Sequence, residues 1–242
     1  MNNGCSVFTV AAAIVFVPVD YEESAADDLK NSILFAQLVA NKRFLKKPKA
    51  YWFVDYAGVL DDFWVRSVKY RQDITLEKNS STTPIQWASQ LMAHGSDDEV
   101  LPLAAFSEWV ARLPATSPEV NLLRSQVQEV NVGEERLASA TAKTTHLLVI
   151  LAQKPASMIC LCLEFKTRQT VEGNPWTQHF QADLMDGHVS ARYFRARLSE
   201  TLYALYRDAI AAKIKERVSG NVLSFAEVVD LSTVLPREER GS

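Results

Sequence analysis

The hydrophobic positions of this chain change period several times. From Val7 to Val19 they run almost unbroken through Val, Ile and Phe, which predicts one buried strand closed by Pro18-Val19-Asp20. Beyond Tyr21 the spacing turns helical. Leu29, Ile33, Phe35, Ala36, Leu38, Val39 and Ala40 make a broad apolar face, Ser24 is a fitting cap, and Asp27 and Asp28 fall in the first turn, where the helix dipole favours negative charge. A helix over 25–44 follows. Ala50 to Val54 reads as a short strand, Asp55 to Asp62 as a turn carrying Gly58, and Phe63 to Ile74 as a strand whose alternation is poor enough that a helical face fits about as well. Pro84 opens a helix with Ile85, Ala88, Leu91 and Met92 at helical spacing, a second begins after Asp97-Asp98-Glu99 and stops at Pro114, and Ser117-Pro118-Glu119 opens a third.

From Thr145 the period is that of a strand again. Leu147 to Ala152 is nearly all apolar, Gln153-Lys154-Pro155 makes a tight connection, and Ser157 to Arg168 forms the second arm of a hairpin. In that arm Met158, Cys160, Cys162 and Glu164 share one face and Ile159, Leu161, Leu163 and Phe165 the other, so it is apolar on both sides up to Glu164. Such a strand belongs mid-sheet, covered on both faces. Trp176 to Leu184 alternates as a further strand, Val189 to Ile214 as the longest helix, and Val222 to Phe225 as a last short strand before a frayed tail over 236–242. The sum is one α/β domain over 1–242: a layered sandwich with a mostly antiparallel central sheet wrapped by helices on both faces.

Composition narrows the function. With 48% hydrophobic residues in 242, the chain buries a substantial core, and 8 glycines and 9 prolines without low-complexity runs leave little room for a linker or a solenoid. Twenty-six basic against 29 acidic residues, a net charge of −3, argue against a nucleic-acid partner, which needs clustered positive charge. The apolar run at Val7 to Val19 is too short to span a bilayer and no basic residue precedes it, so a Sec-type signal is not expected and the protein is read as soluble when made.

Candidate chemistry is sparse. His94, His146, His179 and His188 are dispersed, with no H-x-x-x-H and no C-x-x-C, so no metal site is expected. There is no G-x-S-x-G, P-loop or G-x-G-x-x-G, which argues against an enzyme and leaves no small-molecule substrate evident. Glu164 and His179 face each other if their strands are adjacent, as a solvated pair. Three cysteines cannot all pair, and Cys160 and Cys162 on one strand face are poorly placed to bridge, so free thiols are expected; Cys5, near the terminus, reads as the most accessible. Lys42, Arg43, Lys46, Lys47 and Lys49 cluster at a helix C-terminus, where cations compensate the dipole; the functional alternative is contact with anionic lipid headgroups. Arg192 and Arg195 read as the solvated face of the long helix.

Two stretches carry a family resemblance. Ala13-Ile14-Val15-Phe16-Val17-Pro18-Val19-Asp20, followed by Asn31 to Asn41, is similar to the first strand and helix of the Cyt fold family, and Leu147 to Gln153 running through Met158-Ile159-Cys160 to Phe165 is similar to a hairpin of that family. The family comprises the Cyt delta-endotoxins, the mushroom toxin volvatoxin and related insect-directed bacterial virulence factors. The resemblance implies a toxin-like protein, released to act on a lipid membrane, whose helical layers move aside from the sheet. Helices held by apolar contact alone would suit such movement, and the helix over 25–44 reads that way. It also implies a fatty acid, such as palmitate, attached at Cys160 or Cys162 or held in a pocket beside them; the plain reading of both cysteines is small buried hydrophobes. The other function consistent with the chain is a soluble interaction protein with the same fold and no membrane activity. The oligomeric state is left open.

Overall fold

The computed structural model describes residues 4–46, 51–92, 103–128 and 142–230. At its centre is a seven-stranded sheet. In chain order the strands are β1 (Gly4–Val10), β2 (Ala13–Pro18), β3 (Trp64–Ile74), β5 (Lys143–Gln153), β6 (Ser157–Thr167), β8 (Met185–Leu198) and β9 (Val222–Asp230). In space they lie in the order β3-β8-β6-β5-β2-β1-β9. Every neighbouring pair is antiparallel except β2 with β5, which is parallel. A small second sheet pairs β4 (Ser81–Thr82) with β7 (Phe180–Gln181).

Helices cover both faces, as the two-sided apolarity of β5 and β6 requires. The helices are α1 (Glu23–Lys46), α2 (Trp52–Asp61), α3 (Pro84–Met92), α4 (Leu103–Arg112), α5 (Pro118–Gln128), α6 (Glu200–Tyr203) and α7 (Arg207–Asn221). On one face α1, α2 and α7 pack on Val15, Leu148, Ile150, Met158, Cys160, Cys162 and Phe194. On the other, α3, α4 and α5 pack on Ile14, Phe16, Val149, Leu161, Leu163 and Tyr193. Each fully buried aliphatic or aromatic side chain contributes about 1.5–3 kcal/mol, so a sheet with two buried faces is the main source of stability.

Four expectations from the sequence are corrected. The run Val7 to Val19 is not one strand but the β1–β2 hairpin, whose turn is built without Gly or Pro; Ala11 takes a positive φ of 50° instead. Ala50 to Val54 and the following turn are replaced by α2, whose buried Trp52, Tyr56, Ala57, Val59 and Leu60 keep helical spacing. The strand over 176–184 shrinks to β7 and a 3-10 turn at Ala182–Leu184. The long helix over 189–214 is in its first part β8, a full-length strand between β3 and β6, with α6 and α7 following. Arg192 and Arg195 therefore belong to a strand inside the sheet.

Two polar ties hold α1 down. Gln37 accepts from the Ala12 N–H at 3.0 Å and donates to the Val10 carbonyl at 2.9 Å, closing the β1–β2 turn against the helix. Asp28 accepts three hydrogen bonds from Arg207 at 2.9–3.1 Å, clamping α1 to α7. Contrary to the sequence reading, α1 is thus not held by apolar contact alone.

Candidate functional site

The candidate site lies where α2 meets the β3–β8–β6 end of the sheet. The helix returns along α1: Trp52 Nε1 donates to Asn41 Oδ1 at 2.6 Å near one end, and Trp64 Nε1, just past the other, donates to Ser32 Oγ at 3.1 Å. Beneath its N-terminal turn, Trp52 stacks on His146 with ring centroids 4.2 Å apart and on Tyr56 at 5.0 Å. The backbone N–H of Phe53 donates to Glu164 Oε2 at 3.3 Å, so an orphan donor of the helix start is satisfied by a carboxylate from β6.

Register explains why these groups meet. His146 on β5 pairs directly with Glu164 on β6, and Cys162 with Arg192 on β8, all on the α2 face. His146 Nε2 is 3.4 Å from Glu164 Oε2, and Arg192 Nη1 is 4.0 Å from Oε1. Burial pulls the His146 pKa below its ordinary value despite the neighbouring carboxylate, so the imidazole is neutral at pH 7. For Glu164 burial acts upward, but His146, the Arg192 charge and the Phe53 N–H outweigh it and hold the carboxyl below its usual range. Glu164 therefore faces His146, not His179; the latter lies 3.5 Å from Ser81 Oγ by the small sheet.

Outward from this network opens a cleft of about 580 Å³. Its lining includes Phe53 and Val54 from α2, Arg66, Lys69 and Arg71 from β3, and Arg192 and Phe194 from β8. Three cations of one strand share this face because of a β-bulge. Ser67 and Lys69 oppose consecutive residues Arg195 and Phe194, leaving Val68 extra, and Val68 takes a positive φ of 33° that a β-branched residue adopts only under strain. Arg66 is held by Asp61 at 2.5 Å and Arg71 by Asp73 at 2.9 Å, while Lys69 has no ion pair among the described residues. The Arg192 guanidinium lies over the Phe53 ring, 4.5 Å from its centroid, and that of Arg66 over Phe194 at 5.5 Å.

No protein-family model and no curated protein matches the chain. Solved structures do. A delta-endotoxin is similar at 13% identity over 77% of this chain and 80% of its own, with a TM-score of 0.35. The activated Cyt2Ba monomer from Bacillus thuringiensis subsp. israelensis is similar at 13% identity over 79% of this chain and 99% of its own, also with a TM-score of 0.35. The Evf virulence factor is similar at 9% identity over 83% of this chain and 76% of its own, with a TM-score of 0.30. These likenesses concern the general layout alone, a sheet flanked by helices.

The residues singled out from the sequence divide into two groups. Cys160 and Cys162 are fully buried under α2 with Cys5 buried elsewhere, and all three are free thiols. Burial pushes the Cys160 and Cys162 thiols far up and Cys5 up to about 11, so none carries a reactive thiolate at neutral pH, and Cys5 is not the accessible thiol expected. Of the basic cluster, Lys42, Arg43 and Lys46 are exposed at the end of α1; Lys47 and Lys49 lie outside the described residues, as does His94. Arg43 is tied to Asp55 at 3.2 Å. Around these cations the hairpin exposes apolar side chains: Leu45 is 51% accessible, Tyr51 69% and Val54 64%. Among the described residues no helix is long and apolar enough to cross a membrane, and no three His, Cys, Asp or Glu come together as metal ligands. The sequence reading missed Arg192, Lys69 and Arg71 as a group, since it placed Arg192 on a helix and could not see the bulge.

Proposed function

We propose that the protein is a non-enzymatic, toxin-like factor that binds anionic lipid membranes peripherally through the tip of the α1–α2 hairpin. One observation carries this reading: exposed Leu45, Tyr51 and Val54 stand among Lys42, Arg43 and Lys46 at a single tip. Aromatic and aliphatic groups that enter the headgroup boundary, with cations beside them for the phosphates, are what an interfacial contact needs. Each cation near an anionic leaflet contributes about 1 kcal/mol, so the double substitution Lys42→Gln, Lys46→Gln is expected to weaken binding to phosphatidylserine-containing vesicles about thirtyfold in co-sedimentation at low salt. Arg43 is left in place because Asp55 already engages it. Equal binding by the variant would overturn the tip as the contact, and no binding by the native chain to any anionic vesicle would leave the soluble interaction protein as the reading to pursue.

A fatty acyl chain at Cys160 or Cys162 is the finer form of this proposal. With α2 seated, both thiols are protonated and enclosed, so attachment belongs to a state in which α2 has lifted from β6. Intact mass of the natively purified protein tests it: an added acyl mass that localises to the 157–167 peptide supports attachment, and the bare-chain mass with no extractable fatty acid refutes it.

A further inference from the structure

We propose that the cleft between α2 and the β3–β8 edge is a phosphate site, formed by Arg192, Arg71 and Lys69, that takes a phosphomonoester carried on an apolar stem. In the context of the membrane reading above, on which this refinement rests, the group is a lipid headgroup.

The first ground is a like-charge pairing across two strands. Arg71 and Arg192 are direct cross-strand partners on one face of the sheet, and like charges so placed repel. Asp73 answers Arg71, and it is shared with Ser190 Oγ at 2.9 Å and His188 Nε2 at 3.4 Å. Arg192 has only a long ion pair with Glu164. Only 9% of this residue is accessible, its Nη1 is buried without a hydrogen bond, and Glu164 Oε1 stands off at 4.0 Å while Oε2 accepts from the Phe53 N–H at the α2 N-terminus and lies 3.4 Å from His146 Nε2. A desolvated guanidinium nitrogen without an acceptor costs free energy that a bound anion removes.

The second ground is the backbone. With β3 paired regularly through Val68, positions 66 and 69 would fall on opposite sides of the strand; the bulge sets Lys69 opposite Phe194 and Arg71 opposite Arg192, at the expense of a strained φ. Charges on an outer strand also discourage edge-to-edge association, and β3 is an edge. That explanation covers Lys69 but not Arg192, which sits on the second strand, facing inward. The walls fix the rest of the ligand. Phe53, Val54 and Phe194 flank the cations, an environment for a glyceryl or acyl stem rather than for a fully hydrated ion. Tyr51 and Val54 belong both to this lining and to the exposed tip, so a headgroup at the membrane surface is within reach of the site.

Calorimetric titration of the full chain with inorganic phosphate and with glycerol 3-phosphate tests the site without a membrane. Glycerol 3-phosphate is expected to bind more tightly than phosphate, and Arg71→Gln and Lys69→Gln each to weaken it about tenfold, the loss of one charge-assisted contact. Both positions are exposed, so these variants are expected to fold even if Arg192→Gln does not. In the vesicle arm, phosphatidic acid is expected to be preferred over phosphatidylserine at matched surface charge, and both variants to abolish the preference. Lys42→Gln, Lys46→Gln is expected to weaken vesicle binding yet keep glycerol 3-phosphate. Binding of soluble phosphates without a lipid preference would uphold the site and assign it a soluble ligand. Vesicle binding with no response to either phosphate, or titrations unchanged by Arg71→Gln and Lys69→Gln, would overturn the site while leaving the tip reading intact.

Discussion

Trp52→Ala is expected to destabilise the protein by about 3–5 kcal/mol, the range for truncating a large buried aromatic. Trp52 is 1% accessible, stacks on Tyr56 and His146, and donates its indole N–H to Asn41 on α1. Its removal empties the space between α2 and β5 and frees the N-terminal turn that carries Phe53 to Glu164. Urea unfolding followed by far-UV circular dichroism reads the loss as a fall in midpoint with little change in slope. Trp52→Phe keeps the stack and loses only the bond to Asn41, so its effect is expected to be nearer 1 kcal/mol.

Glu164→Ala is expected to cost about 3 kcal/mol, toward the lower end for breaking a buried ion pair because the Arg192–Glu164 contact is long, at 4.0 Å. The substitution removes the carboxylate that faces the Arg192 charge at 4.0 Å and leaves the Phe53 N–H without its acceptor. The second change Arg192→Met in the Glu164→Ala background is expected to recover much of the loss, since the uncompensated cation goes with it. The same network sets a pH dependence. His146 has a folded pKa below its ordinary 6.5, so the unfolded chain binds the extra proton first; the stability this provides is complete above pH 6.5 and is lost as pH falls toward the folded value. Glu164 has a folded pKa below 4.5, and its contribution is complete above 4.5 and lost on further acidification through the folded value. Urea midpoints are therefore expected to fall from pH 7 to pH 5, with a shallower fall in His146→Gln.

The sandwich was legible in the sequence because β5 and β6 are apolar on both faces, and only a sheet covered twice accommodates that. The helices α1, α3, α4 and α5 were legible from apolar spacing and from Pro84 and Pro118 at their starts. What escaped has physical causes. The β1–β2 hairpin turns through Ala11 and Ala12, which carry no turn signal, so thirdly apolar residues on either side merge into one run. In β8 the buried stretch Val189 to Phe194 faces two cores at once, which erases alternation, and Arg192 among them mimics the polar side of a helix. In β3 the bulge at Val68 shifts the phase between Arg66 and Lys69, and this is why its alternation reads poorly. The candidate site was legible only as the basic end of α1; the cleft depends on that bulge and on a strand pairing between segments more than a hundred residues apart, neither of which local spacing encodes.

A single-site fluorophore shows whether the α1–α2 tip meets the lipid. All three native cysteines are buried, so Leu45→Cys can be labelled selectively with an environment-sensitive dye, and Glu172→Cys, exposed beside α5 on the far side of the sheet, serves as its control. On adding phosphatidylserine-containing vesicles, the dye at position 45 is expected to shift to shorter wavelength while the dye at 172 does not, with neither responding to pure phosphatidylcholine. No shift at 45, or equal shifts at both positions, would mean that the tip is not the part of the protein that enters the lipid.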